Sequence, residues 1–377
     1  MNPRIEVAGD PERFAAVGVA WHGLWQRANG RIFQRHDWIS GWMDGVRDRR
    51  EIRPLIALAW NGPTLVGALP CAVHRRSGLR ILHWAAQLFS DYCDGLVDPA
   101  FASTPVLPLL WDGLWKHGGF DLVNLQQVRP DAACRPTLDQ LTLDGGPLRP
   151  GERTERCMRI ENQWPNGEAF FRSLNKKGRN NHTRGKRILS ELGGEVTFRV
   201  IEPGGEPIEP VLAEVIRLKD AWLRQTDPTS PLLTVDAALL RTMLRRAWDT
   251  GLAKLFVLET GGRIAAASVN FVYDNRMEAY FTAYDGAFER ASPGTILIVD
   301  YAKWSFDRGL RLVDFLRGEE PFKFRLSNAE TLLDSYAGSR TLMGQLAISG
   351  HRWLARRRQR SEPAAPAPAA EELEPAD

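Results

Sequence analysis

The residue types best suited to chemistry crowd into the stretch 280–325. The turn Ser292-Pro-Gly294-Thr295 stands where a helix, Thr295–Arg308, is predicted to begin. The first N–H groups of a helix have no partner within it and sit at the positive end of its dipole. The turn is therefore suited to an anion such as a pyrophosphate. Gly294 would let that ligand approach the backbone closely. Read more simply, Ser292 caps the helix and Pro293 fills its first position. Downstream, Asp314 alternates with Val313 and Phe315 on a strand ending in Arg317-Gly-Glu319-Glu320, with Lys323 and Arg325 close behind. A buried acid or amine needs a partner. An Asp314–Lys323 pair is expected, as a structural salt bridge or as part of a site.

Two further stretches concentrate positive charge. Asn175–Arg187 holds seven Lys, Arg or His residues in thirteen. Apolar Phe170, Phe171, Leu174, Ile188, Leu189 and Leu192 flank it at helical spacing, so 167–192 reads as one or two helices with a basic face and His182 in solvent. His351–Arg360 holds five arginines, which reads as a solvated helix end or as a contact for a membrane surface or an acidic partner. The whole chain nevertheless sums to +3, so no global pull toward nucleic acid is indicated. Cys71, Cys93, Cys134 and Cys157 form no CxxC pair, which predicts reduced thiols and no metal site. No apolar run approaches the ~18–20 residues of a membrane span, and the N-terminal residues lack a signal-peptide pattern. A cytoplasmic protein is expected.

The elements that must position these residues occur twice. Residues 54–73 and 254–272 each read as a strand, a glycine turn and a second strand, a hairpin pattern. His117–Leu125 and Asp307–Phe315 each read as a helix stopped by glycine and followed by a strand. Two matching segments in the same order predict two copies of one α/β unit. In the second copy, helices at 211–225 and 236–250 precede strands at 253–259, 263–273 and 276–284, a loop, the helix 295–308 and a strand at 310–316. The turn-rich Asp144–Gly151 marks the boundary, and a strand Arg156–Glu161 is expected to bridge the halves. The expected organisation is 1–150, 151–345, a basic helix over 346–360 and a disordered acidic tail over 361–377. Trp21, Trp25, Trp38 and Trp42 form two i, i+4 pairs, which read as helix packing.

This order of elements resembles the GNAT acyltransferase fold. The words Tyr280-Phe-Thr-Ala-Tyr-Asp285, Ser292-Pro-Gly294, Gly309–Gly318 and Pro321-Phe-Lys-Phe-Arg325 resemble the CelD/BcsL-type acetyltransferase family, named for cellulose biosynthesis, within the GNAT superfamily. The tandem arrangement is similar to the Fem-type transferases. The resemblance implies two tandem GNAT-like domains, each a central mixed sheet flanked by helices. It implies acyl-CoA as co-substrate without a metal, and an amine or hydroxyl acceptor, in polysaccharide or cell-envelope biosynthesis. Thr282, Ala283, Arg290, Ser292, Gly294 and Thr295 would bind the donor. Arg290-Ala-Ser-Pro-Gly-Thr departs from the usual phosphate loop by placing its glycine one residue later.

Among residues for the chemistry, Tyr284 could return a proton to a leaving thiolate. Asp285 or Glu278 could take one from the acceptor, and Glu319 and Lys323 would border its pocket. Against these stand plain roles: strand packing for the tyrosines and a turn-capping bond for Asp285. Leu96–Pro105 in the first copy is a poor phosphate loop, so that copy is expected to be a non-catalytic partner. Two other functions fit the same sequence: an aminoacyl-tRNA-dependent Fem-like transferase, with 175–187 on RNA phosphates, and a non-catalytic module that binds a partner or an anionic membrane.

Overall fold

The computed structural model describes residues 3–143, 145–151, 155–226 and 237–349. Most of the expected basic helix and all of the expected tail lie outside the described residues. The first half runs β1 (Arg4–Ala8), α1 (Pro11–Ala16), α2 (Gly18–Arg27), α3 (His36–Val46), β2 (Ile52–Asn61), β3 (Thr64–Arg76), β4 (Leu79–Trp84), β5 (Leu96–Val97), α4 (Val106–His117), β6 (Leu122–Val128) and α5 (Arg135–Gln140). After β7 (Leu148–Pro150) and β8 (Glu155–Glu161) come α6 (Gly167–Ser173), α7 (Lys176–Gly193), β9 (Val196–Ile201), α8 (Glu209–Thr226) and α9 (Ala237–Asp249). The chain goes on through β10 (Ala253–Thr260), β11 (Arg263–Tyr273), β12 (Arg276–Tyr284), α10 (Pro293–Asp307), β13 (Leu312–Asp314), α11 (Pro321–Leu326) and β14 (Ala329–Ser339).

The predicted repeat is present in the pairing. In the first half β2, β3 and β4 form an antiparallel meander, then α4 crosses over and β6 returns parallel to β4. In the second half β10, β11 and β12 do the same, α10 crosses over, and β13 returns parallel to β12. Each half is thus a GNAT-like mixed sheet flanked by helices. The last strands are exchanged. β8, which follows the first half in sequence, pairs antiparallel with β13 of the second. β14, the final strand, lays Ala329–Leu333 against β8 and Asp334–Ser339 against β6 of the first half. Among the described residues, twelve strands join in one continuous sheet, in the order β1-β2-β3-β4-β6-β14-β8-β13-β12-β11-β10-β9.

Apolar faces fill three cores. Leu107, Leu110, Trp111 and Leu114 of α4 cover the first half. Leu297, Tyr301 and Phe306 of α10 cover the second. The third core lies between the halves, where Trp21 and Trp38 of α2 and α3 meet Met243 of α9 and Phe271 of β11. The paired tryptophans are therefore packing residues, as expected.

The cationic helix α7 is docked more tightly than its charge suggests. His182 is buried, correcting the expectation of a solvated side chain: its Nε2 lies 2.8 Å from Asp300 of α10, and Lys186 Nζ lies 2.8 Å from the other oxygen of the same carboxylate. Gly185 permits this close approach, since a Cβ there would stand 2.5 Å from the carbonyl oxygen of Ala291 and 2.8 Å from Ile296.

The sheet forks where β12 and β13 part. Their parallel pairing lasts three residues and ends at Glu278 opposite Asp314. Both carboxylates are fully buried, 0% and 1% exposed. Burial and the facing Glu278 push the Asp314 carboxyl up, opposed by the nearby Arg31 guanidinium and the Tyr92 hydroxyl. Their partners come largely from the first half. Arg31 pairs with Glu278, which also accepts from Tyr273 Oη at 2.7 Å. Tyr92 Oη donates to Asp314 at 2.7 Å, and Leu316 N donates to it at 2.9 Å.

Removing one partner of a buried pair leaves an uncompensated charge. Arg31→Leu is expected to destabilise the protein by about 3–5 kcal/mol in denaturant unfolding at pH 7. Adding Glu278→Gln should recover part of that loss. Equal stability of Arg31→Leu and wild type would show that the fork does not depend on this pair.

Candidate functional site

The main cavity, about 610 Å³, opens at the fork. β12 forms one wall through Tyr280, Phe281, Thr282 and Tyr284. The β11/β12 register slips between Val269 and Asn270, so Tyr280 is an extra residue in β12 and forms a bulge there. Its hydroxyl donates to the Phe89 carbonyl at 2.8 Å, tying the bulge to the first half. Thr282 Oγ1 lies 2.9 Å from Ser268 Oγ, which in turn donates to Asn270 at 2.5 Å.

The second wall is the start of α10. Ser292 has φ +54°, the left-handed region that a non-glycine residue enters at some cost. Pro293 then opens a fifteen-residue helix. Ser292, Gly294 and Thr295 all line the cavity, at the positive end of the helix dipole. A Cβ on Gly294 would meet Tyr284 Cδ1 at 3.5 Å, an ordinary contact, so packing alone does not demand glycine there.

The floor comes from the turn after β13. Leu316 has φ +55° and Gly318 φ +113°. A side chain at Gly318 would be strained, and a Cβ would stand 2.8 Å from Lys323 Nζ. Lys323 is buried, donates to the Arg317 carbonyl oxygen and pairs with Glu320 at 3.0 Å. It does not pair with Asp314, as its spacing had suggested, because β13 ends at Asp314 and α11 starts at Pro321, leaving Lys323 to close its own turn.

The structure gathers the expected residues unevenly. Tyr284, Thr282, Ser292, Gly294, Thr295 and Lys323 line the cavity; Ala283, Asp285, Arg290, Glu278 and Glu319 do not. Asp285 accepts from Ala287 N at 2.9 Å and pairs with Arg263 at 3.1 Å, so it caps the turn into 286–291. Glu278 is closed off at the fork, engaged by Arg31 and Tyr273, with no path to the cavity. Glu319 is exposed. Ala283 is buried, paired opposite Ala267.

Asp91 and Lys219 are the lining residues suited to proton transfer that escaped the sequence reading. Asp91 reaches the cavity from the first half, 3.7 Å from Arg317. Burial pushes its carboxyl up to about 6, against the pull of the Arg317 and Lys323 charges. Lys219, on α8, lies over the rings of Trp222 at 4.2 Å and Phe281 at 5.5 Å. Burial pulls its ammonium down to about 8, against the attraction of Glu320. A signal existed for Lys219: it falls on the apolar stripe of its helix, four residues after Val215 and three before Trp222. None existed for Asp91. A carboxyl near 6 and an amine near 8 in one cleft are matched to proton transfer at neutral pH.

Among the described residues, no group of three or more His, Cys, Asp or Glu side chains is placed to hold a metal ion, and no helix is long and apolar enough to cross a membrane. No curated protein matches the chain in sequence. Residues 176–324 match the family model described as an acetyltransferase (GNAT) domain. The structure is similar to a crystal structure of FemX, at 10% identity and TM-score 0.55, over 88% of this chain and 96% of that one. It is similar also to the C-terminal DUF2156 domain of a protein assigned as a lysylphosphatidylglycerol synthetase from Agrobacterium fabrum. That match has 11% identity and TM-score 0.53, over 89% of this chain and 95% of that one. At these identities the likeness is one of fold. Residues 176–324 thus resemble a GNAT acetyltransferase domain in sequence, and the whole chain has a fold of two GNAT-like units.

Proposed function

We propose that the protein is an acyltransferase that moves an acyl group from acyl-CoA to an amine or hydroxyl acceptor. The observation that carries this is the cavity at the fork, walled by a strand without a neighbour on one side and by a helix N-terminus. In this reading the Gly294 amide and the hydroxyls of Ser292 and Thr295 hold the donor's pyrophosphate, the Ser292 and Thr295 amides being spent on the carbonyls of Glu289 and Ser292. Backbone N–H groups of β12 beyond Glu278 polarise the acyl carbonyl. Asp91 takes the proton from the acceptor, and Tyr284 returns one to the thiolate. The resemblance of 280–325 to the CelD/BcsL-type family supports an acceptor in polysaccharide or cell-envelope biosynthesis. The first half supplies a wall and the base but no donor loop of its own: Asp98, within Leu96–Pro105, caps a short turn and pairs with Arg27.

Isothermal titration of the full chain with acetyl-CoA should show saturable binding. Gly294→Ala should fold normally and weaken it about tenfold, because the added methyl holds the ligand off the Gly294 amide. No heat and no thermal shift with acetyl-CoA or longer acyl-CoAs would end this reading. With an acceptor in hand, kcat/KM should fall as pH drops through about 6, where Asp91 becomes protonated, and Asp91→Asn should remove that limb and lower kcat by roughly 10²–10⁴. A limb near 8 in its place would transfer the role of base to Lys219.

A second reading rests on α7, which exposes Lys176, Lys177, Arg184 and Arg187 beside the loop leading into α10. With FemX and the synthetase domain as structural neighbours, this supports an aminoacyl-tRNA donor. Filter binding to bulk tRNA would then show an affinity that falls steeply with salt. Absence of binding at low salt would dismiss it.

A further inference from the structure

A second cavity, about 430 Å³, lies between the halves at the other end of β12. Arg276 and Thr282 are six residues apart on that strand, so the two cavities are separated by roughly 20 Å. Unlike the first cavity, this one is dominated by arginines, and two of them, Arg276 buried and Arg129 nearly so, have buried donors unspent. Arg276, at the start of β12, is 4% exposed, and its Nε and Nη2 have no hydrogen-bond partner among the described residues. Its nearest carboxylates are Asp274 at 3.4 Å and Glu278 at 3.8 Å, the latter already engaged by Arg31. Arg129, just after β6, spends Nε and Nη2 on Asp131, while its buried Nη1 is unpartnered, 3.9 Å from Asp314.

The arrangement holds these groups in place. The Tyr92 ring has Arg129 at 4.6 Å and Arg31 at 5.0 Å from its centroid, and Arg276 lies 4.6 Å from the Tyr273 ring. The carboxylates lining the cavity are already committed. Asp94 accepts from Gly95, Ala133 and Cys134 amides, Asp131 binds Arg129, and Glu161 binds Arg159. What the cavity lacks is acceptors. A buried guanidinium N–H without one is costly, and arginine forks match carboxylate or phosphate oxygens. Three unpartnered nitrogens from two separate guanidiniums exceed what one carboxylate pairs with in a fork, and they suit the several oxygens of a phosphate. The volume leaves space for an organic body beside it.

We propose that this cavity is a second ligand site, for a phosphate group carried by a small ester. The inference stands apart from the acyl-donor reading, since it uses none of that cavity's residues. The test is calorimetric titration and thermal melting of the full chain in phosphate-free chloride buffer, with inorganic phosphate, glucose 1-phosphate and acetate as probes. Both phosphates should bind saturably and raise the melting temperature. Arg276→Gln and Arg129→Gln should each weaken binding at least tenfold, read against the melting temperature of each ligand-free variant, since Arg129→Gln also gives up the Asp131 pair. Tighter binding of the ester would assign the remaining space to its organic part; equal binding would assign the site to free phosphate. Should either glutamine variant fail to fold, Arg276→Lys, which keeps the charge and loses the fork, should show the same loss. The proposal is overturned if neither phosphate binds, if acetate binds as tightly, or if binding survives in both variants, which would put the phosphate at the start of α10.

Discussion

Two buried carboxylates facing each other across parallel strands are an unfavourable thing to build. Yet Glu278 and Asp314 sit at the one point on which the rest of the second half depends: where β12 and β13 stop pairing. Beyond them the strands diverge and the main cavity begins. The pair is tolerated there because Arg31 and Tyr92 reach in from the first half. The two halves are thus joined by more than apolar contact. The first half also sends Phe89 to fix the Tyr280 bulge and Asp91 into the cavity.

That dependence sets what could be read from the chain. Features fixed by local pattern were legible: both hairpins, the helix pair 167–173 and 176–193, the bridging strand β8, and the turn 292–295 at the start of α10. So was the duplication, because it shows as ordered words. Features fixed by contact across the halves were not. Asp91 lies in Phe89-Ser-Asp-Tyr-Cys, with nothing local to mark it. Glu278 alternates correctly along its strand, yet its carboxylate meets an arginine nearly 250 positions earlier. His182 sits in the most basic stretch of the chain, and only the packing of α7 on α10 shows that it faces Asp300.

The same logic separates the two cavities. At the main one, polar groups are paired or turned toward open space, with a helix terminus and an unpaired strand side on offer. At the other, the acids are spent and guanidinium donors are left over. A buried polar group without a partner is uncommon in folded proteins, and here two such groups converge on one space from different halves. The near-neutral net charge hides both this cluster and the exposed cations of α7.

The exchange of β8 and β14 has a consequence in time. β6 ends at Val128, but the strand that covers its edge begins only at Ala329. At the ~5–20 residues per second of ribosomal synthesis, the first sheet waits roughly 10–40 s with that edge bare. Exposed strand edges are templates for unwanted pairing between chains. This protein therefore cannot complete its first unit and then its second as the chain emerges. Both sheets close together, late, when the last strand arrives, and the nascent first half must be kept from its neighbours until then.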